Sequence, residues 1–196
     1  MKVIFLDFDG VITIPETRWH ISLPHIKRIK EICDATGAKI VVSSSWRHKT
    51  VQETIDTMIG RPKRCPRNSM FNWFIDNLYD VTPWFCDDKY NGTGRGGEIQ
   101  TWLDAHPEVD NYVIIDDDGD MLDEQLFNFV QTDWAFGIQD REVKLAIDVL
   151  NNIPPRNSLS LNNELQFKFW VSLGNGKVDN YKEIVEKYNP WKNEDK

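Results

Sequence analysis

No stretch of this chain stays apolar for the roughly 18 residues that a membrane-spanning helix needs. The first apolar run is far too short for the core of a secretory leader, and Asp7 and Asp9 interrupt it. Cysteine is scarce too. Cys33, Cys65 and Cys86 are odd in number and never fall in CxxC spacing, which offers no disulfide framework and suits a reducing compartment. A cytoplasmic protein with no membrane partner is expected. Cys65, Cys86 and His48 do not reproduce a known zinc spacing, so structural zinc is not expected. An excess of positive charge is also missing. The net charge of −8 weighs against broad adhesion to nucleic acid, which relies on neutralising phosphates. One local exception stands out: "RPKRCPR", Arg61 to Arg67, reads either as a solvated, proline-broken loop or as a basic contact patch.

What is present is ordinary for a globular chain: 196 residues, 40 % hydrophobic and 28 % charged, enough for one domain with an appendage. Strand-like and helix-like segments alternate over the first 150 or so residues. "KVIFLD" is a short apolar run ending in acid, as in a strand buried on both faces. "SLPHIKRIKEICDATG" follows as a helix, with Ser22 as cap, Pro24 in the first turn and Gly37 at the end. "AKIVVSSS" is a second strand and "TVQETIDTMIG" a second helix. "NLYDVTP" is a third strand, "GGEIQTWLDAH" a helix, "NYVIIDDD" a strand ending in acid, "FNFVQT" a fifth strand and "QDREVKLAIDVLNN" a last helix. Such alternation implies crossover units and a mainly parallel five-stranded sheet covered on both faces, an α/β three-layer sandwich. Residues 61–94 read as a loop-rich insertion broken by Pro62, Pro66 and Pro83. A core is expected over 1–152. Beyond it, 153–196 is expected to form an α+β extension, with a hairpin at a Gly-Asn-Gly turn and a short helix.

Parallel sheets place ligands at the carboxyl ends of their strands. Asp7 and Asp9, then Ser43, Ser44 and Ser45, then Asp116, Asp117 and Asp118 all fall at such ends, and Arg95 lies at the start of the fourth helix. Each cluster alone is weak, because DxD recurs by chance and serines or aspartates after a strand are ordinary turn and cap residues. Together, in order along one sheet edge, they are a stronger signal. Carboxylates that converge repel one another and stay ionised only around a cation. Oxygen donors without His or Cys favour Mg²⁺. A carboxylate beside that ion can attack phosphorus, and a second one two residues on can protonate the leaving oxygen and activate water. Serine hydroxyls and the Arg95 guanidinium can hold phosphate oxygens.

At this point the sequence resembles a known family. "DFDGVI" is similar to motif I of the haloacid dehalogenase-like (HAD) phosphohydrolases, "KIVVSSSW" to motif II and "YVIIDDD" to motif IV, while Arg95, opening "RGGEI", stands where motif III has its basic residue. The likeness covers residues 1 to about 150 and is greatest to the small branch of phage, bacterial and nucleic-acid-repair members. It implies a Rossmann-like core with a minimal cap and a Mg²⁺-dependent phosphatase. By position it implies Asp7 as nucleophile and metal ligand, and Asp9 as general acid and base that also lends its backbone carbonyl to the metal. Asp116 becomes a metal ligand, with Asp117 acting through water. Ser44 becomes the phosphate-binding hydroxyl, with Ser43 or Ser45 open as alternatives, and Gly10 belongs to the phosphate-binding loop. Arg95 departs from the commoner lysine and stays a sound phosphate partner that cannot be tuned by deprotonation. Asp118 reads as a turn cap.

No full cap fits between the first two strands, so the expected site is open and suits a nucleotide or a nucleic-acid terminal phosphate. Arg47, directly after the serines, is expected to reach the substrate. Trp19, Trp46 and Trp84 are candidates for stacking on a base or for rim packing, and His48 for an extra acid or base. Two other classes compete. A non-catalytic nucleic-acid-binding module would draw on Arg61 to Arg67 and the eight tryptophans. A phosphate-accepting receiver domain would need a lysine after the last strand, which "VQTDWAFG" does not offer.

Overall fold

A computed structural model of the chain describes residues 1–84 and 93–152. Runs rich in valine and isoleucine make the central strands, because branched side chains pack well on a pleated surface. "KVIFL" forms β1 (Lys2–Leu6) and "KIVV" forms β2 (Lys39–Val42). With β3 (Leu78–Val81), β4 (Asn111–Asp116) and β5 (Phe129–Gln131) they build a five-stranded sheet in the order β3-β2-β1-β4-β5, every pairing parallel. Parallel neighbours cannot be joined by tight hairpins. The intervening chain folds as α1 (Leu23–Thr36), α2 (Val51–Ile59), α3 (Ser69–Asp76) and α4 (Gly94–Asp104), and α5 (Asp140–Leu150) follows β5.

The period of two along β1 separates two cores. Ile4 and Leu6 join Ile26, Ile29, Phe71, Phe74 and Ala146, from α1, α3 and α5, on one face. Val3 and Phe5 join Ile99 and Trp102 of α4 on the other. Phe5 meets the Trp102 ring edge-on at 5.4 Å. Val3, Ile4, Phe5 and Leu6 are all completely buried, and each such side chain contributes about 1.5–3 kcal/mol on leaving water. The expected three layers are present.

Local signals account for most helix ends. Gly37 closes α1 at φ 71°, its N–H bonded to Cys33 O, and Thr50 caps α2 through Glu53 N–H at 3.2 Å. Ser22 holds the cap position of α1, but its hydroxyl lies 2.5 Å from His25 Nδ1 and makes no cap bond. Part of the segment expected to be loop is α3. Asn68 Oδ1 accepts from Phe71 N–H at 2.9 Å, and Phe71 and Phe74, three apart, bury on the core face.

The hydrogen-bond ladder runs on past the strands. Asp7 N–H donates to Ile115 O, Ser43 N–H to Leu6 O, Thr82 N–H to Val42 O and Thr132 N–H to Asp116 O, each at 3.0 Å. Residues 7, 43, 82, 116 and 132 are thereby registered along one edge, with Asp7 at its centre. Among the described residues no helix is long and apolar enough to cross a membrane. The expected extension over 153–196, and Cys86, lie outside the described residues.

Candidate active site

β1 delivers Asp7 to the carboxyl edge, and its neighbour β4 ends on Asp116, with Asp117 next. One carboxylate oxygen from each of the three lies within 4.8 Å of the others. The chain must then leave the edge quickly. Phe8 O accepts from Val11, Ile12 and Thr13 N–H, which curls the loop back, and the Phe8 ring turns into the core against Phe74 and Trp46. Gly10 sits at φ 72°, and a Cβ there would lie 2.7 Å from Asp117 Oδ1 and nearer still to its Cγ. Only glycine allows both that backbone turn and that close approach.

Asp9 points elsewhere. Its Oδ1 accepts from Thr13 Oγ1 at 2.7 Å and its Oδ2 from Trp46 Nε1 at 3.0 Å. Two donors therefore fix the carboxylate beside the cluster rather than in it. Arg95 spans the cluster from the other side, with Nη2 3.7 Å from Asp7 Oδ1 and Nε 3.6 Å from Asp116 Oδ2. The first turn of α4 is latched in place for this. Arg95 N–H donates to Asp120 Oδ2 at 2.8 Å, and Gly96 N–H to Asp120 O at 3.0 Å. Gly96 itself has no room for a side chain, since a Cβ would meet the 119–125 loop at Leu122 N and Gln125 Oε1.

Burial dominates the electrostatics. It pushes the Asp7 carboxyl up to about 7, against the pull of Arg95 and a hydrogen bond from Ser44. It raises Asp117 to about 6 and lifts Asp116 well above the usual carboxylate range, where the Asp7 charge adds to the effect. Asp116 Oδ2 is buried with no hydrogen-bond partner, since its approach to Arg95 is too long for one. Three carboxylates, a guanidinium at arm's length and an orphaned buried oxygen form a pocket short of positive charge. An all-oxygen donor set fits Mg²⁺, and Asp7, Asp116 and Asp117 are the side chains that would hold it.

The serines divide. Ser44 is buried beside Asp7, and its Oγ accepts from Trp46 N–H at 3.3 Å. Ser43 is buried with its hydroxyl unpartnered, and Ser45 faces solvent. Arg47, expected at the substrate, is placed otherwise. Nη1 donates to Ser44 O at 2.7 Å, Nε to Thr82 O at 2.9 Å, and Nη2 to Pro83 O at 2.9 Å and to Glu98 Oε2 at 2.6 Å. Only 1 % of its side chain is exposed. It ties the ends of β2 and β3 to α4, because those carbonyls would otherwise face the interior unpaired. The exposed Trp84 ring covers its guanidinium at 4.1 Å. Trp19 stacks on Trp134 at 6.5 Å, His48 is exposed, and Asp118 Oδ1 accepts from Gly119 N–H as a local turn.

Four residues here carried no role in the sequence reading: Thr13, which with Trp46 orients Asp9; Glu98, which pairs with Arg47 and lies 3.7 Å from Arg95; Asp120, which sets α4; and Gln125, whose amide donates to Gly96 O at 2.9 Å. A glutamate three residues after Arg95, on the same helix face, was the one readable signal among them.

The model of one family, described as the HAD domain in Swiss Army Knife RNA repair proteins, matches residues 3–143. No curated protein and no solved structure gives a significant match.

Proposed function

The chain belongs to the family of HAD domains in Swiss Army Knife RNA repair proteins, and from that premise we propose that it is a Mg²⁺-dependent phosphomonoesterase acting on a nucleotide or a nucleic-acid terminal phosphate. The observation that carries this reading is the convergence of Asp7, Asp116 and Asp117 within 4.8 Å at the centre of the sheet edge, with Arg95 across them.

Asp7 attacks the phosphorus. Its bond to phosphorus forms as the bond to the leaving oxygen breaks, and Asp9 gives that oxygen its proton. Thr13 and Trp46 fix the Asp9 carboxyl group beside the cluster. The now ionised Asp9 takes a proton from water, whose oxygen attacks phosphorus and releases Asp7 as carboxylate, so both groups return to their starting state. Ser44 and Arg95 hold the equatorial oxygens, and the buried setting strengthens every such contact. Bound Mg²⁺ supplies the positive charge that lets the buried carboxylates ionise together and that offsets charge on the transferring group. The Asp9 backbone carbonyl would join Asp7, Asp116 and Asp117 in holding that ion.

A phosphatase screen with Mg²⁺ across mononucleotides, p-nitrophenyl phosphate and 3′- or 5′-phosphorylated oligonucleotides tests the proposal. Turnover that Asp7→Asn abolishes is expected. No turnover of any phosphoester, or full activity in Asp7→Asn, would overturn it, and oligonucleotide binding without turnover would favour the non-catalytic module.

A further inference from the structure

We propose that the loop Arg61–Arg67 is a strand-binding subsite, which receives the phosphodiester backbone of a nucleic acid whose terminal phosphate lies at Asp7. This rests on the phosphatase reading and narrows it, because it makes a strand end, rather than a free nucleotide, the preferred substrate.

The loop joins α2 to α3 within the crossover from β2 to β3. Trp46 bridges it to the site. Its Nε1 donates to Asp9 Oδ2 at 3.0 Å, while the guanidinium carbons of Arg64 and Arg61 stand 5.3 Å and 6.0 Å from its ring centre. One indole thus separates the basic loop from a carboxylate two residues from Asp7. The loop backbone is held: Ile21 N–H donates to Arg64 O at 2.9 Å, Arg64 and Cys65 N–H both donate to Arg61 O at 2.9 Å, and Cys65 is buried.

The charged ends are not paired with carboxylates among the described residues. Arg61, Lys63, Arg64 and Arg67 are all exposed, and none has an ion-pair partner among the described residues. Exposed cations without an ion pair among the described residues also occur at Arg18, Lys39, Lys49 and Arg141, but singly; this loop groups four within seven residues. Four cations in seven residues, none of them ion-paired among the described residues, make a local basic patch in a chain of net charge −8. A polyanion complements such a patch. A mononucleotide brings a phosphate that the Asp7 site itself takes up, whereas successive phosphates of a strand can meet successive cations. Guanidinium forks suit phosphate oxygens, and the Trp46 face keeps Arg61 and Arg64 together beside the site.

The test measures kcat/KM of the full chain with Mg²⁺ on p-nitrophenyl phosphate and on 3′- and 5′-phosphorylated RNA and DNA oligonucleotides, over a series of salt concentrations. The parent is expected to favour oligonucleotides, with a preference that fades as salt rises, and the RNA and DNA arms show which sugar it takes. In Arg61→Gln/Arg64→Gln the ratio of oligonucleotide to p-nitrophenyl phosphate activity should fall about tenfold, mainly through KM. The slope of log kcat/KM against log salt should shrink by about 1.4, at roughly 0.7 per lost contact on a single strand. Arg61→Lys/Arg64→Lys should restore the slope. A loop with a purely structural role would lower both activities together, without rescue. Turnover of small phosphoesters with no oligonucleotide preference would overturn the subsite and leave the phosphatase reading standing. If no phosphoester turns over, that reading falls, and fluorescence anisotropy with labelled oligonucleotide decides the subsite. Salt-sensitive binding lost in the glutamine variant supports it, and no binding refutes it.

Discussion

Replacing Asp7 with asparagine should make the metal-free protein more stable while ending turnover. Burial raises the Asp7 carboxyl from 3.8 to about 7, even with Arg95 nearby. The folded state therefore binds a proton that the unfolded chain has already released, over the window from about 4 to about 7. Stability is greatest below that window and falls as pH rises through it. At pH 8 the ionised carboxylate stays buried, and a shift of about three units at 1.36 kcal/mol each sets a ceiling of about 4 kcal/mol on its cost. Asparagine carries no charge and can still accept from Ser44, but it loses the ion pair with Arg95. The net gain at pH 8 should be about 1–3 kcal/mol, or about 2–12 °C in Tm for a chain of this size. Near pH 4 the parent carries a protonated Asp7 and the two proteins should melt together. Thermal melts in chelator at pH 4 and pH 8 measure this directly. A variant no more stable than the parent at pH 8, or a difference independent of pH, would refute the account of Asp7 as a buried charge lacking its cation.

Three further outcomes follow from the geometry. Gly10→Ala places a side chain at φ 72° against the Asp117 carboxylate; it should cost about 1–2 kcal/mol from the backbone alone, and isothermal titration should show weaker Mg²⁺ binding. Arg47→Ala leaves Glu98 and the Thr82 and Pro83 carbonyls without their shared donor; urea unfolding should show a loss of about 3–5 kcal/mol, which Arg47→Lys does not repair because one ammonium cannot reach all those acceptors. Arg95→Gln removes the cation that spans Asp7 and Asp116; kcat/KM on p-nitrophenyl phosphate should fall by roughly a hundredfold or more.

The parts of this molecule that were readable in the sequence are those fixed by local chemistry. "KVIFLD" and "YVIID" are apolar runs that end in acid, and parallel pairing alone brings Asp7 and Asp116 to one edge. Gly37, Thr50 and Gly60 mark helix ends by rules that act within one turn. α3 was hidden by the prolines before it, although Asn68 followed by Phe71 and Phe74 carried a cap and a buried face. Arg47 could not be placed from its neighbours. Its acceptors come from residues 44, 82, 83 and 98, and only the folded crossovers bring these together. The same holds for Trp46, whose bond to Asp9 joins two strand ends 37 positions apart, and which turns the basic loop from a surface feature into a neighbour of the site.

The central claim is that Asp7 attacks phosphorus and is transiently phosphorylated. The most direct measurement is an acid quench of the protein during turnover of a ³²P-labelled phosphoester, with Asp9→Asn included to slow release. The account predicts label on the protein that hydroxylamine removes, that maps to the peptide containing residue 7, and that is missing from Asp7→Asn. Steady turnover with no protein-bound label in the parent or Asp9→Asn, or label on another peptide, would contradict it.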